Sequence, residues 1–259
     1  MKKPNRRIRR EIMIKGSKND SIPTIFHITH YKAGSQWVLA ILKRCLPDRF
    51  IQPEPEVKHF FNQQIKQGKV YPTLYVTREQ FESVQLPSNY HKFIIIRDLR
   101  DTLISLYFSL KISHRTINES MEKSRQLLNS MDINEGLKHM ILNNWLHPNT
   151  EIQKSWINSG ETIIRYEDLL KNDLEIFNKI LIEECKLPIQ KQKLVKVVEG
   201  LRFENRTGRK PGTEDIKSHE RKGIEGDWKN YFTEEIKDLF KKQYNDILVS
   251  AGYEKDMNW

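Results

Sequence analysis

Three short segments of this 259-residue chain set cations beside small residues where apolar runs end. In the first, Lys32-Ala33-Gly34-Ser35 lies between the β-branched run 22–29 and the mostly apolar run 36–46. A strand feeding a short glycine-containing loop and then a helix makes an anion cradle. Its loop and first-turn N–H groups point at the ligand, and the helix dipole favours negative charge. Lys32 can reach a bound phosphate or a leaving oxygen, Gly34 lets the backbone approach closely, and Ser35 adds a hydroxyl donor. Because Lys32 precedes Gly34, the loop is not a Walker A motif, whose Lys follows the last Gly. Taken alone, Lys-x-Gly-Ser also reads as a plain surface turn.

In the second segment Arg97 leaves the apolar run 93–96, and Ser105 lies eight residues on. Ligands of open α/β sheets bind at the carboxyl ends of strands, so Arg97 and Lys32 are expected to face one crevice. A guanidinium and a hydroxyl there would hold a phosphate. The structural alternative is an ion pair of Arg97 with Asp98 or Asp101. In the third segment, Arg221 and Lys222 flank Gly223 in a stretch ending at Asn230. It reads either as a second oxyanion grip on a loop able to close over a ligand or as a charged linker.

The elements that must position these groups alternate. Strands are predicted over 22–29, 69–76 (Pro72 favouring an edge position), 93–96 and 162–165. Helices are predicted over 36–46, from Asp101, over 118–130, 134–145, 173–184 and 191–199, with a charged loop over 204–230. Thr233 reads as the N-cap of a terminal helix with Ile236, Leu239, Phe240, Tyr244, Ile247 and Leu248 on one stripe. This alternation predicts a single α/β domain over 21–259: a central parallel sheet flanked by helices, with a P-loop-like strand–loop–helix nucleotide site. Residues 1–20 form a basic arm rich in Lys and Arg.

Lys and Arg total 44 against 34 Asp and Glu, a formal net charge of +10, which suits an anionic partner. The basic residues are interspersed with acids and match no nucleic-acid-binding pattern, so no nucleic acid is expected. Two distant cysteines, Cys45 and Cys185, give neither a disulfide framework nor metal-ligand spacing. No run approaches the ~20 apolar residues of a membrane span. A soluble, cytoplasmic protein without a metal is the expectation.

With these residues in place, a resemblance becomes specific. Thr29-His30-Tyr31-Lys32-Ala33-Gly34-Ser35-Gln36-Trp37 resembles the T-Y-P-K-S-G-T-T-W loop of sulfotransferases that use 3′-phosphoadenosine-5′-phosphosulfate (PAPS). Arg97 and Ser105 match the family's 3′-phosphate segment, and Tyr166-Glu167-Asp168-Leu169 its Y-E-D-L. Residues 221–230 resemble R-K-G-x-x-G-D-W-K-N almost letter for letter. The resemblance implies transfer of a sulfuryl group from PAPS to a hydroxyl or amine of a small-molecule, carbohydrate or lipid acceptor, leaving adenosine 3′,5′-bisphosphate. It implies that Lys32 assists the leaving group and that residues 33–36 cradle the 5′-phosphate. Trp37, Tyr166 and Phe203 would lie about the adenine, and Arg97, Ser105, Arg221, Lys222 and Gly223 would hold the 3′-phosphate.

The departures bear on mechanism. Gln36 replaces a hydroxyl residue, and Leu201 stands where cytosolic members carry Thr. The dimer motif is half present, with Lys229 and Thr233 kept but Glu234 and Asp238 substituted. The cytosolic base histidine lies about 22 residues before the matching arginine, a position held here by Tyr75. Glu56-Val57-Lys58-His59-Phe60-Phe61 resembles the glutamate segment of carbohydrate-modifying members. Glu56 and His59 are therefore the first base candidates, with His30 and Tyr75 behind them. The rival readings are a PAPS binder without activity and a P-loop-type nucleotide kinase, which would need the Walker lysine.

Overall fold

The computed structural model describes residues 22–259 except 117 and 158; the basic arm lies outside them. Four strands form a wholly parallel sheet in the order β2-β1-β3-β4: β1 (Thr24–Thr29), β2 (Val70–Leu74), β3 (Tyr90–Ile96) and β4 (Ile163–Arg165). Pro72 sits in β2, an edge strand, where its missing N–H costs no ladder bond. Burial on both faces explains why β1 and β3 read as continuous apolar runs. Ile25, Phe93 and Ile95 pack into one core layer with Val38, Leu42, Leu169 and Val198. Phe26, Ile28, Ile94 and Ile96 pack into the opposite layer with Phe60, Phe81 and Trp156.

The helices are α1 (Ser35–Cys45), α2 (Lys58–Phe61), α3 (Arg78–Glu82), α4 (Leu99–Phe108), α5 (Glu119–Asn129), α6 (Ile133–Leu142), α7 (His147–Ile157), α8 (Tyr166–Phe177), α9 (Lys191–Gly200), α10 (Phe203–Thr207) and α11 (Glu234–Ser250). Thr233 caps α11 by accepting from the Ile236 N–H, as its sequence predicts. A third core cluster joins α4, α6 and α11 through Leu103, Met140, Phe240 and Leu248, with Trp228 packed beside them.

The short helices α2, α3 and α10 are not expected from the sequence, α10 opening the predicted loop over 204–230, and two longer helices also differ from expectation. Helix α7 carries no apolar stripe because its buried face is partly amide and hydroxyl: Asn149, Thr150 and Gln153 are buried beside Ile152 and Trp156. Helix α8 begins at Tyr166, directly after β4, rather than near Asp173, and a non-helical Asn172 interrupts it.

Parallel strands place the β1→α1 and β3→α4 loops side by side at their carboxyl ends. The chain goes from β1 outward to β2, then returns across β1 to β3, so these loops flank the point where strand order reverses. That is where open α/β sheets bind ligands.

Candidate functional site

The β1→α1 loop bends through two left-handed residues, Lys32 at φ 68° and Gly34 at φ 78°. Such a conformation is strained for Lys32 and free for Gly34, and it turns successive N–H groups toward one concavity. The Gly34 carbonyl accepts from the Trp37 and Val38 N–H groups, which starts α1. A Cβ at Gly34 would lie 2.5 Å from the Tyr166 ring. The glycine is therefore required by both backbone angle and packing.

Arg97 leaves β3 against this loop. It donates to the Lys32 carbonyl at 3.0 Å, its guanidinium lies 4.8 Å from the Tyr166 ring centroid, and it stands 3.8 Å from the Asp101 carboxylate. The structural ion pair and the shared crevice thus hold together. Its Nε is buried without a partner. Trp37 meets Tyr166 and Phe177 edge-on, with centroids at 6.4 and 6.1 Å.

The third segment folds over the same place. Arg221 lies 4.4 Å from the Phe108 ring centroid and pairs with Glu214 and Asp227. Lys222 reaches the other Asp227 oxygen at 2.6 Å. A Cβ at Gly223 would lie 2.4 Å from the Phe203 ring, repeating the glycine-on-aromatic contact of Gly34 and Tyr166. Burial first, then the charges of Arg97 and Arg221, pull the Lys32 ammonium down to about 8, with Glu220 opposing. Three cations from three segments therefore share one electrostatic site, which is what a polyanion requires.

The Lys32 ammonium donates to Ser109 Oγ at 3.1 Å, one turn beyond Ser105 on the same helical face. Ser109 opens a π turn over Ser109–Ser113, a geometry frequent at functional sites. Nothing in the sequence had marked Ser109. Nor had it marked His114 and His219, whose imidazoles lose their protons more readily through lost hydration and the Lys32 charge. His114 follows the π turn and donates its N–H to the Ser109 carbonyl at 2.8 Å.

The base candidates separate. His30 is fully buried. Its Nε2 accepts from the Arg97 N–H at 3.0 Å, its Nδ1 lies 2.9 Å from the Tyr31 carbonyl, and Asn149 and Gln153 press on the ring. Burial lowers it to about 4. It is a neutral pillar joining loop, strand exit and α7, with no free nitrogen to take an acceptor's proton. His59 is buried, accepts from the Glu54 N–H at 3.0 Å and stacks on Tyr71. Tyr71 pairs in register with Phe26, midway along β1, so His59 lies back along the sheet from the strand exits that carry Lys32. Glu56 faces solvent and pairs with Lys58 at 3.2 Å. His30 therefore stands at the Lys32 site as a structural support, while Glu56 and His59 do not assemble there. Tyr75 does: its hydroxyl meets Ser35 Oγ at 2.9 Å, and its ring stacks on Tyr31 at 4.1 Å. Burial raises its phenol above the ordinary value, which makes it a poor base and a serviceable hydrogen-bond donor.

A cleft of about 770 Å³ lies elsewhere. Gln63–Gln67 and Ser83–Pro87 line it and precede β2 and β3, so it opens at the amino ends of the strands, opposite the cation site. Among the described residues no cluster of three or more His, Cys, Asp or Glu is placed to hold a metal. No described helix is long and apolar enough to cross a membrane.

An α/β sheet with an anion loop at its switch point is the architecture of a nucleotide-binding fold. The family model of the sulfotransferase domain matches residues 23–255, and the chain belongs to that family. Its class of chemistry is sulfuryl transfer. Solved structures share the fold. Mouse sulfotransferase SULT7A1, crystallised with PAP, is 17% identical with a TM-score of 0.60, covering 90% of each chain. A retinol dehydratase in complex with androsterone and the inactive cofactor PAP is 14% identical with a TM-score of 0.56, covering 88% of this chain and 82% of that one. No curated protein sequence matches.

Proposed function

We propose that the protein transfers a sulfuryl group from PAPS to a hydroxyl or amine of a small acceptor. The observation that carries this reading is the convergence of Lys32, Arg97 and Arg221, from three separate segments, on one site at the strand carboxyl ends. The residues suit a doubly phosphorylated nucleotide: Arg97 keeps a buried, unpartnered Nε, and Arg97 and Arg221 both bear on the Lys32 ammonium.

PAPS supplies an activated sulfuryl group, whose bond to the 5′-phosphate oxygen breaks as a bond to the acceptor oxygen or nitrogen forms. Lys32 and the N–H groups of residues 33–36 would meet the charge gathering on the phosphate, the kind of preorganised electrostatic help that dominates such transfers. Arg97, Arg221 and Lys222 would hold the 3′-phosphate, with Ser105 on the adjoining helix face and Gly223 giving close backbone approach. Tyr166, Trp37 and Phe203 would bound the base. The acceptor's proton would pass to an imidazole in the field of Lys32, His219 or His114. Holding these neutral at physiological pH suits them to general-base work, worth roughly 10²–10⁴-fold.

The test is transfer of labelled sulfuryl from PAPS to a panel containing a phenol, an aliphatic alcohol, a monosaccharide and an arylamine. Labelled product with any of them, lost in Lys32→Ala, supports the reading. PAPS that stays intact with every class, in a sample that binds no adenosine 3′,5′-bisphosphate, would overturn it.

A further inference from the structure

The two arginine-bearing segments of the site are joined by a carboxylate that lies between Arg97 and Ser105. Asp101 lies in the first turn of α4, is buried, and turns away from its own helix. The cap of that helix is already supplied by Asp98, which accepts from the Arg100 N–H. Asp101 instead accepts from the Gly226 N–H at 2.7 Å and the Trp228 N–H at 3.0 Å, one through each oxygen. Its Oδ2 also stands 3.8 Å from Arg97. The residue between those two amides is Asp227, which binds Arg221 and Lys222 and accepts from Asn230 at 2.8 Å. Arg100 completes the clamp, lying 4.2 Å from the Trp228 ring centroid.

A continuous chain of contacts therefore runs from the Lys32 carbonyl through Arg97, Asp101, the 226–228 backbone and Asp227 to Arg221 and Lys222. Fixing the backbone on both sides of Asp227 fixes its carboxylate, and with it the direction of the two cations it holds. An uncharged amide at position 101 would set an N–H₂ group against one of the two backbone donors. That donor would be left buried and unpaired.

We propose that Asp101 is a positioning residue that couples Arg97 to the Arg221–Lys222 pair, so that recognition of a nucleotide 3′-phosphate depends on it. This rests on the reading of the site as a donor pocket. The consequence is confined to ligands carrying a 3′-phosphate: a nucleotide without one does not draw on the coupled pair.

The experiment is calorimetric titration of wild type, Asp101→Asn, Arg221→Ala and the double variant, each with adenosine 3′,5′-bisphosphate and with 5′-AMP. Asp101→Asn is expected to weaken the bisphosphate about tenfold, within the range of coupling between linked sites, and to change 5′-AMP affinity less than about twofold. The double variant is expected to bind like Arg221→Ala alone, because both changes break one chain of contacts. Equal losses for both nucleotides would assign Asp101 a general structural role and overturn the proposal. So would an unchanged preference for the bisphosphate. A wild type that does not distinguish the two nucleotides would instead overturn the donor reading beneath it. Should Asp101→Asn fail to fold, amide hydrogen exchange of the wild type decides. Gly226 and Trp228 should gain protection with the bisphosphate and not with 5′-AMP, and equal protection by both would refute the coupling.

Discussion

The site has two halves built on different principles. The Lys32 half is a backbone structure: two left-handed residues, a helix start and a glycine seated on Tyr166, braced from below by the buried His30. The 204–230 half is held by charge. Arg209 gathers the Glu220 and Arg221 carbonyls at 2.5 and 2.8 Å, Arg206 pairs with Glu220 at 2.5 Å, and Asp227 holds Arg221 and Lys222. Packing and buried hydrogen bonds tolerate little movement, whereas ion pairs weaken with salt in proportion to their exposure, which is small at Asp227 and larger at Arg206–Glu220. The difference teaches that one half is set by local backbone geometry, and the other by side-chain ion pairs that gather around Asp227 and Glu220.

The largest effect should separate chemistry from grip. Lys32→Ala is expected to lower turnover by about 10²–10³-fold, the range for losing one preorganised donor, with little change in melting temperature. A comparable loss of folding stability would place Lys32 in the scaffold instead. Next come the paired glycines. Gly34→Ala would force a left-handed backbone, about 1–3 kcal/mol of strain, against a ring fixed in the core. It should lower both melting temperature and bisphosphate affinity. Gly223→Ala meets Phe203 just as closely and also at a left-handed φ of 65°, but against the half-buried Phe203 rather than at the start of a core helix, so affinity should fall with a smaller drop in melting temperature. Reversal of that order, read by thermal denaturation, would break the comparison.

Much of the first half was legible because it is local. Gly34, Lys32 and the strand before them are neighbours in the chain, and the strand–loop–helix rule places them without tertiary information. Arg97 was legible for the same reason, as the exit of an unmistakable strand. Ser109, His114 and His219 were not, because they reach Lys32 only through folding of segments about 77 residues or more apart. Helix α7 escaped a periodicity reading because Asn149 and Gln153, on its buried face, serve His30 rather than an apolar core. Glu56 and His59 were drawn from a resemblance in sequence, and the stacking of His59 on Tyr71, paired with Phe26 midway along β1, sets it back from the strand exits.

Smaller effects sharpen the account. Lys32 in the free protein loses its proton near pH 8, so the ammonium is present below that value and vanishes above it. Turnover relative to free enzyme should decline as pH rises through about 8, and a profile flat to pH 9.5 would contradict the Lys32 role. His27 and His30 are held neutral by burial, at about 3 and 4. Below the unfolded value near 6.5 the unfolded chain binds more protons, so stability should fall as pH drops from 6.5 toward 4. Denaturant midpoints unchanged between pH 7 and 5 would count against that burial.

The most direct measurement is calorimetric titration of the purified protein with adenosine 3′,5′-bisphosphate against 5′-AMP, at low and at moderate salt. The account predicts saturable binding of the bisphosphate, much weaker binding of 5′-AMP, and a preference that narrows as salt screens the 204–230 half. Equal binding of the two nucleotides, or none by a folded sample, would contradict it.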